Sequence, residues 1–220
     1  MNFLFETTNK AKIRRYGEKL KESGINLVTL NDLNLELDVD ESGNNPTENA
    51  IIKAQAYNKA THMPTIAIDD GLFLDNVPDE VQPGTHVRRV NGKRLNDEEM
   101  IQHYISLVNK YGTNGELTGY FRKAVAIVED ENTYTFEHKS DRKFTNKQST
   151  KIDPGYPLTS IQFIDSLGKF KSELTPEEEQ QLLQVERNEI TGFIMQTIKE
   201  IEKDKACIQL VEDYIKSRNN

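Results

Sequence analysis

The chain has 220 residues, of which 35% are hydrophobic and 29% charged, and its formal net charge is −8. This length supports one sizeable domain, in one or two lobes, and the negative charge argues against broad electrostatic binding to nucleic acid or to an anionic membrane. A single cysteine, Cys207, excludes an intramolecular disulfide and fits a reducing cytoplasm; no signal-peptide pattern and no apolar run near the roughly 20 residues of a membrane span is found.

The first half of the chain alternates predicted strands with predicted helices. Apolar runs predict strands over 2–6, 26–30, 65–68 and 72–74. Helical spacing predicts helices over 10–22 and 46–61. The second helix has a clear start, with Asn45 as its cap and Pro46 at its first position.

The second half is predicted to hold a long hairpin among helices. Strands are predicted over 117–128, 133–139 and 161–164. Helices are predicted over 97–110, from 175 onward, and over 187–217. Strands and helices that alternate, followed by a hairpin, indicate an α/β fold with a mixed sheet.

Asp69, Asp70 and Gly71 follow the apolar strand 65–68 directly. A carboxylate at the end of a buried strand needs a compensating charge or ligand, and ligands of α/β folds tend to bind at strand ends. Gly71 would permit a tight turn or a close approach of the backbone to a ligand. The alternative is an ordinary hairpin turn, because Asp-Gly is a common turn signal.

Thr7, Thr8 and Asn9 lie between the first strand and a helix whose first turns are basic. The N-terminus of a helix offers free N–H groups and partial positive charge, so this turn suits a phosphate. The alternative is a solvated basic face.

The remaining candidates are carboxylates and cations. Walker A, G-x-G-x-x-G and H-E-x-x-H motifs are absent, as are zinc-ligand spacing and a nucleophile elbow. Carboxylates suit Mg²⁺ together with substrate phosphates, and lysines suit the phosphates. The acids and bases that together describe a Mg²⁺–nucleotide site are Glu41, Asp69, Asp70, Lys12, Lys53 and Arg88. Each residue also has a non-functional explanation: Glu41 could be an ordinary loop acid, for example, and Lys53 a surface lysine.

Three stretches resemble the Ham1 family of inosine triphosphate pyrophosphatases. Residues 7–12 resemble its T-x-N-x-x-K, and residues 41–54 resemble its E-x-G…E-N-A-x-x-K-A. Residues 66–72 resemble its A-D-D-S-G-L, and the P-G…R element follows at Pro83 and Arg88. Resemblance in the second half is weaker.

The resemblance implies roles for these residues. Thr7, Asn9 and Lys12, assisted by Lys53, are expected to hold the triphosphate. Glu41 and Asp69 are expected to hold Mg²⁺, and Asp69 to help activate water. Asp70, Arg88 and Tyr156 are further expected substrate contacts, with Asp70 standing where the family has Ser or Thr.

Two elements depart from the family. Its base-reading aspartate is replaced by Pro157 in the loop 154–157, and its Ser-His-Arg is matched best by Val185-Glu186-Arg187. Triphosphate chemistry therefore looks better preserved than recognition of inosine or xanthine.

The resemblance implies a two-lobed α/β domain with a long mixed sheet flanked by helices, and an active site in the cleft between lobes. The expected reaction is Mg²⁺-dependent hydrolysis of a nucleoside triphosphate to monophosphate and pyrophosphate in the cytoplasm. The alternatives are a modified pyrimidine or deoxynucleotide substrate, or nucleotide binding with little turnover.

The chain is expected to divide into a catalytic domain, 1–186, and a C-terminal helical extension, 187–220. Ile190, Ile194, Ile198 and Ile201 form an apolar stripe that can complete the core. A second stripe follows the charged segment 202–205. We expect residues 206–217 to pack on a second subunit, giving a homodimer, or to cover the cleft as a lid; a second helix on the same lobe is the alternative.

Overall fold

A computed structural model of the protein describes residues 1–218, and it contains a five-stranded mixed sheet. The strands of the described residues, of which five form this sheet and four form two small hairpins, are β1 Asn2–Glu6, β2 Asn26–Thr29, β3 Thr65–Leu74, β4 Arg89–Val90, β5 Lys93–Arg94, β6 Glu116–Glu129, β7 Asn132–Thr145, β8 Phe163–Ile164 and β9 Lys169–Phe170. The main sheet has the order β2-β1-β3-β6-β7. β1 pairs in parallel with β2 and β3, whereas β3–β6 and β6–β7 are antiparallel. The predicted mixed sheet and long hairpin are confirmed.

The helices are α1 Lys10–Lys12, α2 Glu18–Glu22, α3 Leu30–Leu33, α4 Pro46–Thr61, α5 Asp97–Tyr111 and α6 Pro176–Arg218. A π-helical segment, Ile13–Gly17, joins α1 to α2. The predicted cap of α4 is confirmed, since the Asn45 side chain accepts hydrogen bonds from the backbone N–H groups of Thr47 and Glu48. Within residues 1–218, no helix is both long and apolar enough to cross a bilayer.

The two faces of the sheet are covered by different kinds of side chain. On one face, Ala50 and Ala54 of α4 pack on strand alanines such as Ala124, and these small side chains let the helix lie close to the sheet. On the other face, Ile190 and Ile194 of α6 pack among larger apolar side chains of the first strands. Burying one such side chain contributes roughly 1.5–3 kcal/mol.

The long strands continue beyond this first layer into a second lobe. There Leu72 of β3 and Phe144 of β7 pack against Ile101 and Tyr104 of α5, with Leu158 from the loop before β8. Because β3, β6 and β7 run through both lobes, the cleft between the lobes lies over the middle of these strands. The predicted two-lobed fold is confirmed.

The predicted turn at Asp69, Asp70 and Gly71 is wrong, because β3 runs through these residues as one strand. β6 pairs with it throughout, so that Asp69 lies opposite Ala124 and Asp70 opposite Lys123. Gly71 serves a close approach instead: a Cβ there would lie 2.8 Å from Cγ of Pro46. Side chains alternate along a strand, so Asp69 and Asp70 point to opposite faces of the sheet.

The predicted helix start at Arg187 is also wrong, because α6 is one helix of 43 residues, about 65 Å long. The charged segment 202–205 contains no glycine or proline and continues the helix. Ile208, Leu210 and the other apolar residues of 206–217 are exposed, Leu210 by 70%. This segment is therefore neither a lid nor a second helix on the same lobe. Residues 219 and 220 of the predicted extension lie outside the described residues.

Candidate active site

The cleft opens where β1 ends and β3 continues. The last pair between these strands joins Glu6 to Ala67, so beyond it one edge of β3 has no neighbouring strand. Lys12 reaches this free edge, and its Nζ donates to the carbonyl oxygen of Ile68 at 2.7 Å. The early end of β1 thus exposes the backbone and the two aspartates of β3 to side chains from the helices.

On the α4 face, Lys53 bridges two of the predicted acids. Its Nζ lies 2.7 Å from Oδ1 of Asp69 and 3.5 Å from Oε2 of Glu41. Burial lowers the pKa of Lys53, but Asp69, Glu6 and Glu41 together raise it above its ordinary value. Lys53 is therefore a buried cation that holds the acids together, and its alternative as a surface lysine is wrong.

The loop that carries Glu41 is fastened to the start of α4. The backbone N–H of Gly43 donates to Oδ1 of buried Asn49 at 2.8 Å, and that of Asn44 donates to the Glu48 carboxylate. A Cβ on Gly43 would lie 2.6 Å from the same Asn49 oxygen, so only glycine fits. These contacts explain why the two short motifs that contain Glu41 and Lys53 occur together.

Asp70 lies on the opposite face, between two lysines. Lys12 Nζ is 2.9 Å from its Oδ2, and Lys123 Nζ is 3.0 Å from its Oδ1. Burial raises the pKa of Asp70, but the two lysines lower it far below its usual range. The carboxylate stays ionised at neutral pH and fixes both ammonium groups at the edge of the cleft.

Thr7 and Asn9 shape the turn between β1 and α1. The Thr7 hydroxyl oxygen accepts from the Asn9 N–H at 3.1 Å, and Asn9 Oδ1 accepts from the N–H groups of Ala11 and Lys12. Both side chains therefore hold the turn that presents Lys12 to the free edge of β3.

Arg88 connects the second lobe to the loop that contains Tyr156. Its Nη1 lies 2.7 Å from Asp97 Oδ1, and its Nη2 donates to the carbonyl oxygen of Gly155 at 3.0 Å. Asp97 also accepts from the Gly155 N–H at 2.9 Å. The Tyr156 side chain next to it is 52% exposed and faces the cleft.

Sequence reasoning missed Glu6 and Lys123. Burial raises the pKa of Glu6 to about 7, although Lys53 and Lys12 oppose this rise. Glu6 is the last residue of β1, so its place beside the cleft depends on where that strand ends. Lys123 follows Arg122 directly and precedes the apolar end of β6, and nothing in the local sequence distinguishes it from a surface lysine.

The sequence also gave no sign of a buried polar cluster on the α6 face. Glu186 is 3% exposed and accepts from the Tyr16 hydroxyl at 2.8 Å and from the Ser140 hydroxyl at 3.0 Å. Arg142 and Lys171 lie near it. Glu186 belongs to the segment that replaces the family's Ser-His-Arg, so the departure noted in the sequence coincides with a new charged cluster.

The cleft joins these groups in one cavity of about 1140 Å³. The predicted site residues that line it are Asn9, Lys12, Glu41, Asp70, Arg88 and Tyr156. The buried side chains of Thr7, Lys53 and Asp69 lie beneath this lining. The structure thus brings all the predicted residues to one cleft, from both lobes.

The acids can accommodate Mg²⁺, although they do not form a closed metal cage. Within residues 1–218, no group of three or more His, Cys, Asp or Glu side chains is placed to hold a metal ion. Mg²⁺ typically takes one or two carboxylates, and substrate phosphates and water fill the other positions. Glu41 and Asp69, already drawn together by one cation, fit that donor set.

Comparisons with known proteins identify a family and several relatives. The Ham1 family model matches residues 3–187. The dITP/XTP pyrophosphatase of Leptospira interrogans is 32% identical over 135 residues, which are 61% of this chain and 66%, just under two thirds, of that relative. The dITP/XTP pyrophosphatase of Bacillus subtilis is 28% identical over 180 residues, which are 81% of this chain and 88% of the relative.

Solved structures share the fold. The Staphylococcus aureus Ham1 protein superposes with a TM-score of 0.69 at 23% identity, covering 87% of this chain and 99% of its own. A Ham1 protein of Coxiella burnetii gives a TM-score of 0.70 at 22% identity, covering 93% and 99%. Since the family match spans most of the chain and the fold agrees, the chain belongs to the Ham1 family.

Proposed function

We propose that the protein is a Mg²⁺-dependent pyrophosphatase that cleaves a non-standard nucleoside triphosphate into monophosphate and pyrophosphate. The observation that carries the proposal is the Lys53 ammonium between Glu41 and Asp69, in the cleft that Lys12 enters from the other side. Carboxylates for a metal and lysines for phosphates thus converge from separate segments. The names of the relatives, dITP/XTP pyrophosphatases, support the same reaction.

In this mechanism the chain's own residues position the triphosphate and take up a proton. Lys12 and Lys53, with the turn held by Thr7 and Asn9, bind the phosphates and stabilise the charge that develops on the leaving pyrophosphate. Glu41 and Asp69 would hold Mg²⁺, which would supply neutralisation of the phosphate charge and help to orient a water molecule.

Asp69 is the proposed base. A water oxygen forms a bond to the α-phosphorus while the bond from that phosphorus to the pyrophosphate oxygen breaks. The proton of the water passes to the Asp69 carboxylate. Lys53 Nζ lies 2.7 Å from Oδ1 of that carboxylate and holds it in place.

The second lobe supplies the remaining proposed contacts. Tyr156 offers an exposed ring for stacking on a base, and Arg88 holds its loop at Gly155 while its own side chain lines the cleft. Asp70 acts by fixing Lys12. Pro157 cannot donate or accept a side-chain hydrogen bond, which favours an altered base or sugar preference on this scaffold over strict inosine selectivity.

A panel of nucleoside triphosphates assayed for pyrophosphate release, with and without Mg²⁺, tests the reaction. We expect metal-dependent release from at least one of them, and its loss in Asp69→Asn with the circular dichroism spectrum unchanged. Normal turnover by a folded Asp69→Asn protein would remove Asp69 from the mechanism. Binding without release from any nucleotide would favour a nucleotide-binding protein.

We further propose a cytoplasmic homodimer with a catalytic domain over 1–186 and an extension over 187–220. The end of the family match at residue 187 supports this division. The exposed apolar side chains of Ile208, Val211 and Ile215 support an interface with a second subunit, because a helix usually buries such a stripe.

A further inference from the structure

Four cationic side chains from four different segments meet at one end of the cleft, which we call the basic end. They are Arg15 of the π-helical segment, Lys123 of β6, Arg142 of β7 and Lys171 just after β9, and all four line the cavity. The triphosphate end, with Glu41 and Lys53, does not include them.

The carboxylates near the basic end already form hydrogen bonds or ion pairs with other groups. Glu186 accepts from the hydroxyl groups of Tyr16 and Ser140 and lies 3.7 Å from Nη1 of Arg15. The other carboxylate, Asp70, is held between two lysines, as described above. These two acids, with Glu186 also 4.0 Å from Lys123 Nζ, are shared among more cations than they can neutralise.

Among the described residues, Arg142 and Lys171 form no ion pair with a carboxylate, and Glu186 raises the pKa of each only from a greater distance. Arg142 donates through Nη1 to the carbonyl oxygen of Asp141 at 2.7 Å, and its Nε is buried without a hydrogen bond. Across the described part of the chain, Lys171 Nζ has no hydrogen bond or ion pair. Burial, together with Arg142, Lys123 and Arg15, lowers the pKa of Lys171 to about 7, although Glu186 opposes this shift. Uncompensated buried charge costs free energy that a bound anion would recover.

The basic end also has a flat apolar wall. The Phe121 ring lines the cavity, with Cζ of Arg142 5.7 Å and Nζ of Lys123 5.4 Å from its centroid. Gln162 lines it too, 3% exposed and with Oε1 unbonded. A free phosphate cannot stack on an aromatic ring. A planar heterocycle can stack on the Phe121 ring and hydrogen-bond to the Gln162 amide.

We propose that the basic end binds the nucleobase of the substrate, and that this base carries a negative charge, as an ionised imide or as a carboxylate. The inference rests on the proposed pyrophosphatase function and specifies its substrate class. A bound anion would pair with Arg142 and would favour the protonated form of Lys171, whereas a neutral base would do neither.

Two matched pairs of triphosphates test it. Xanthosine triphosphate, whose base ionises near neutral pH, is compared with inosine triphosphate, and orotidine triphosphate, which carries a carboxylate, with uridine triphosphate. For each, kcat/KM is measured by pyrophosphate release at pH 7.5 or so, and equilibrium binding by calorimetry without Mg²⁺. In each pair we expect the anionic member to be favoured by about 10-fold or more, the usual worth of a charged hydrogen bond.

Lys171→Met and Arg142→Met should bring these ratios toward one. Lys147→Met, which removes the same charge from an exposed position, should leave them unchanged. Two variants are used so that, if one of them fails to fold, the other still tests the ratios.

The outcomes separate the two proposals. Turnover with equal kcat/KM within both pairs overturns the anionic-base assignment and leaves the pyrophosphatase function standing. No turnover of any triphosphate, with tighter binding of the anionic members that Lys171→Met abolishes, overturns the function and supports the pocket. Binding of inorganic phosphate alone that matches the nucleotides and is lost in Lys171→Met would make the basic end a free-anion site and overturn the base assignment.

Discussion

Replacing Lys53 with methionine removes the cation that holds Glu41 and Asp69 together. The side chains of Lys53 and Asp69 are 11% and 12% exposed, so the pair is largely shielded from water. Removing one partner of a buried pair costs about 3–5 kcal/mol, because the other charge is left uncompensated. For a chain of this length, about 3 kcal/mol corresponds to a fall in Tm of about 6–12 °C.

The same change should strengthen the effect of a divalent ion. Without Lys53, Glu41 and Asp69 lose the ammonium group that lies between them, and Glu6 loses the stronger of two nearby positive charges. Mg²⁺ should then raise the Tm of Lys53→Met by several degrees and that of the wild type by less, because in the wild type the ammonium already occupies the space between the carboxylates.

Thermal unfolding followed by circular dichroism, with and without millimolar Mg²⁺, measures both effects. Lys59→Met is the matched control, since Lys59 is exposed on the same helix and surface substitutions are usually within about 0.5 kcal/mol. If Lys53→Met melts together with Lys59→Met, the pair does not bury an uncompensated charge. If Mg²⁺ shifts the Tm of Lys53→Met no more than that of the wild type, Glu41 and Asp69 are not the metal site.

Other predictions concern selectivity, pH and assembly. Because Pro157 offers no side-chain hydrogen bond, the ratio of kcat/KM for ITP over ATP should stay far below the roughly 10⁴ of a hydrogen-bonding site, and a ratio of that size would contradict this explanation. The lowered pKa of Lys171 means that the unfolded chain holds this proton to higher pH than the folded chain does. The free energy of unfolding should therefore rise above pH 7, by at most about 1.4 kcal/mol per pH unit, relative to Lys171→Met in urea titrations; equal slopes would refute it. The charged groups that face Lys171 are Arg15, Lys123, Arg142 and Glu186. Deleting residues 206–220 should halve the mass in solution, measured by light scattering, whereas an unchanged mass would rule out this segment as the dimer interface.

Most elements of the fold were predictable because their signals are local. The start of helix α4 is indicated by Asn45 and Pro46, and the apolar residues of α5 recur at regular helical spacing. The error at Gly71 has a different origin. An Asp-Gly pair favours a turn in isolation, but here β6, some 50 residues later in the chain, pairs with β3 and holds it extended. A long-range partner overrode a local preference, and no local pattern reveals that.

The residues of the candidate site likewise fall into those that local sequence motifs predict and those that only tertiary packing places. Thr7, Lys12, Glu41 and Lys53 lie in short motifs whose spacing can be recognised, and the structure brings them to one cleft. Lys123 was missed because its position depends on the register of β6 against β3, which places it opposite Asp70. The basic end depends likewise on how β7, β9 and α6 meet, and those contacts are set by tertiary packing.

The alternation of β3 gives the two aspartates separate tasks. Asp69 points to the α4 face, where Lys53 lies between it and Glu41 at the proposed site for metal and phosphate. Asp70 points to the other face, where its carboxylate ties Lys12 to Lys123. A serine or threonine there could not neutralise two lysines, so an acid at this position and a surplus of cations on this face belong together. Lys123 links the two features, because it pairs with Asp70 on one side and lies 4.0 Å from Glu186, at the cluster around Arg142, on the other.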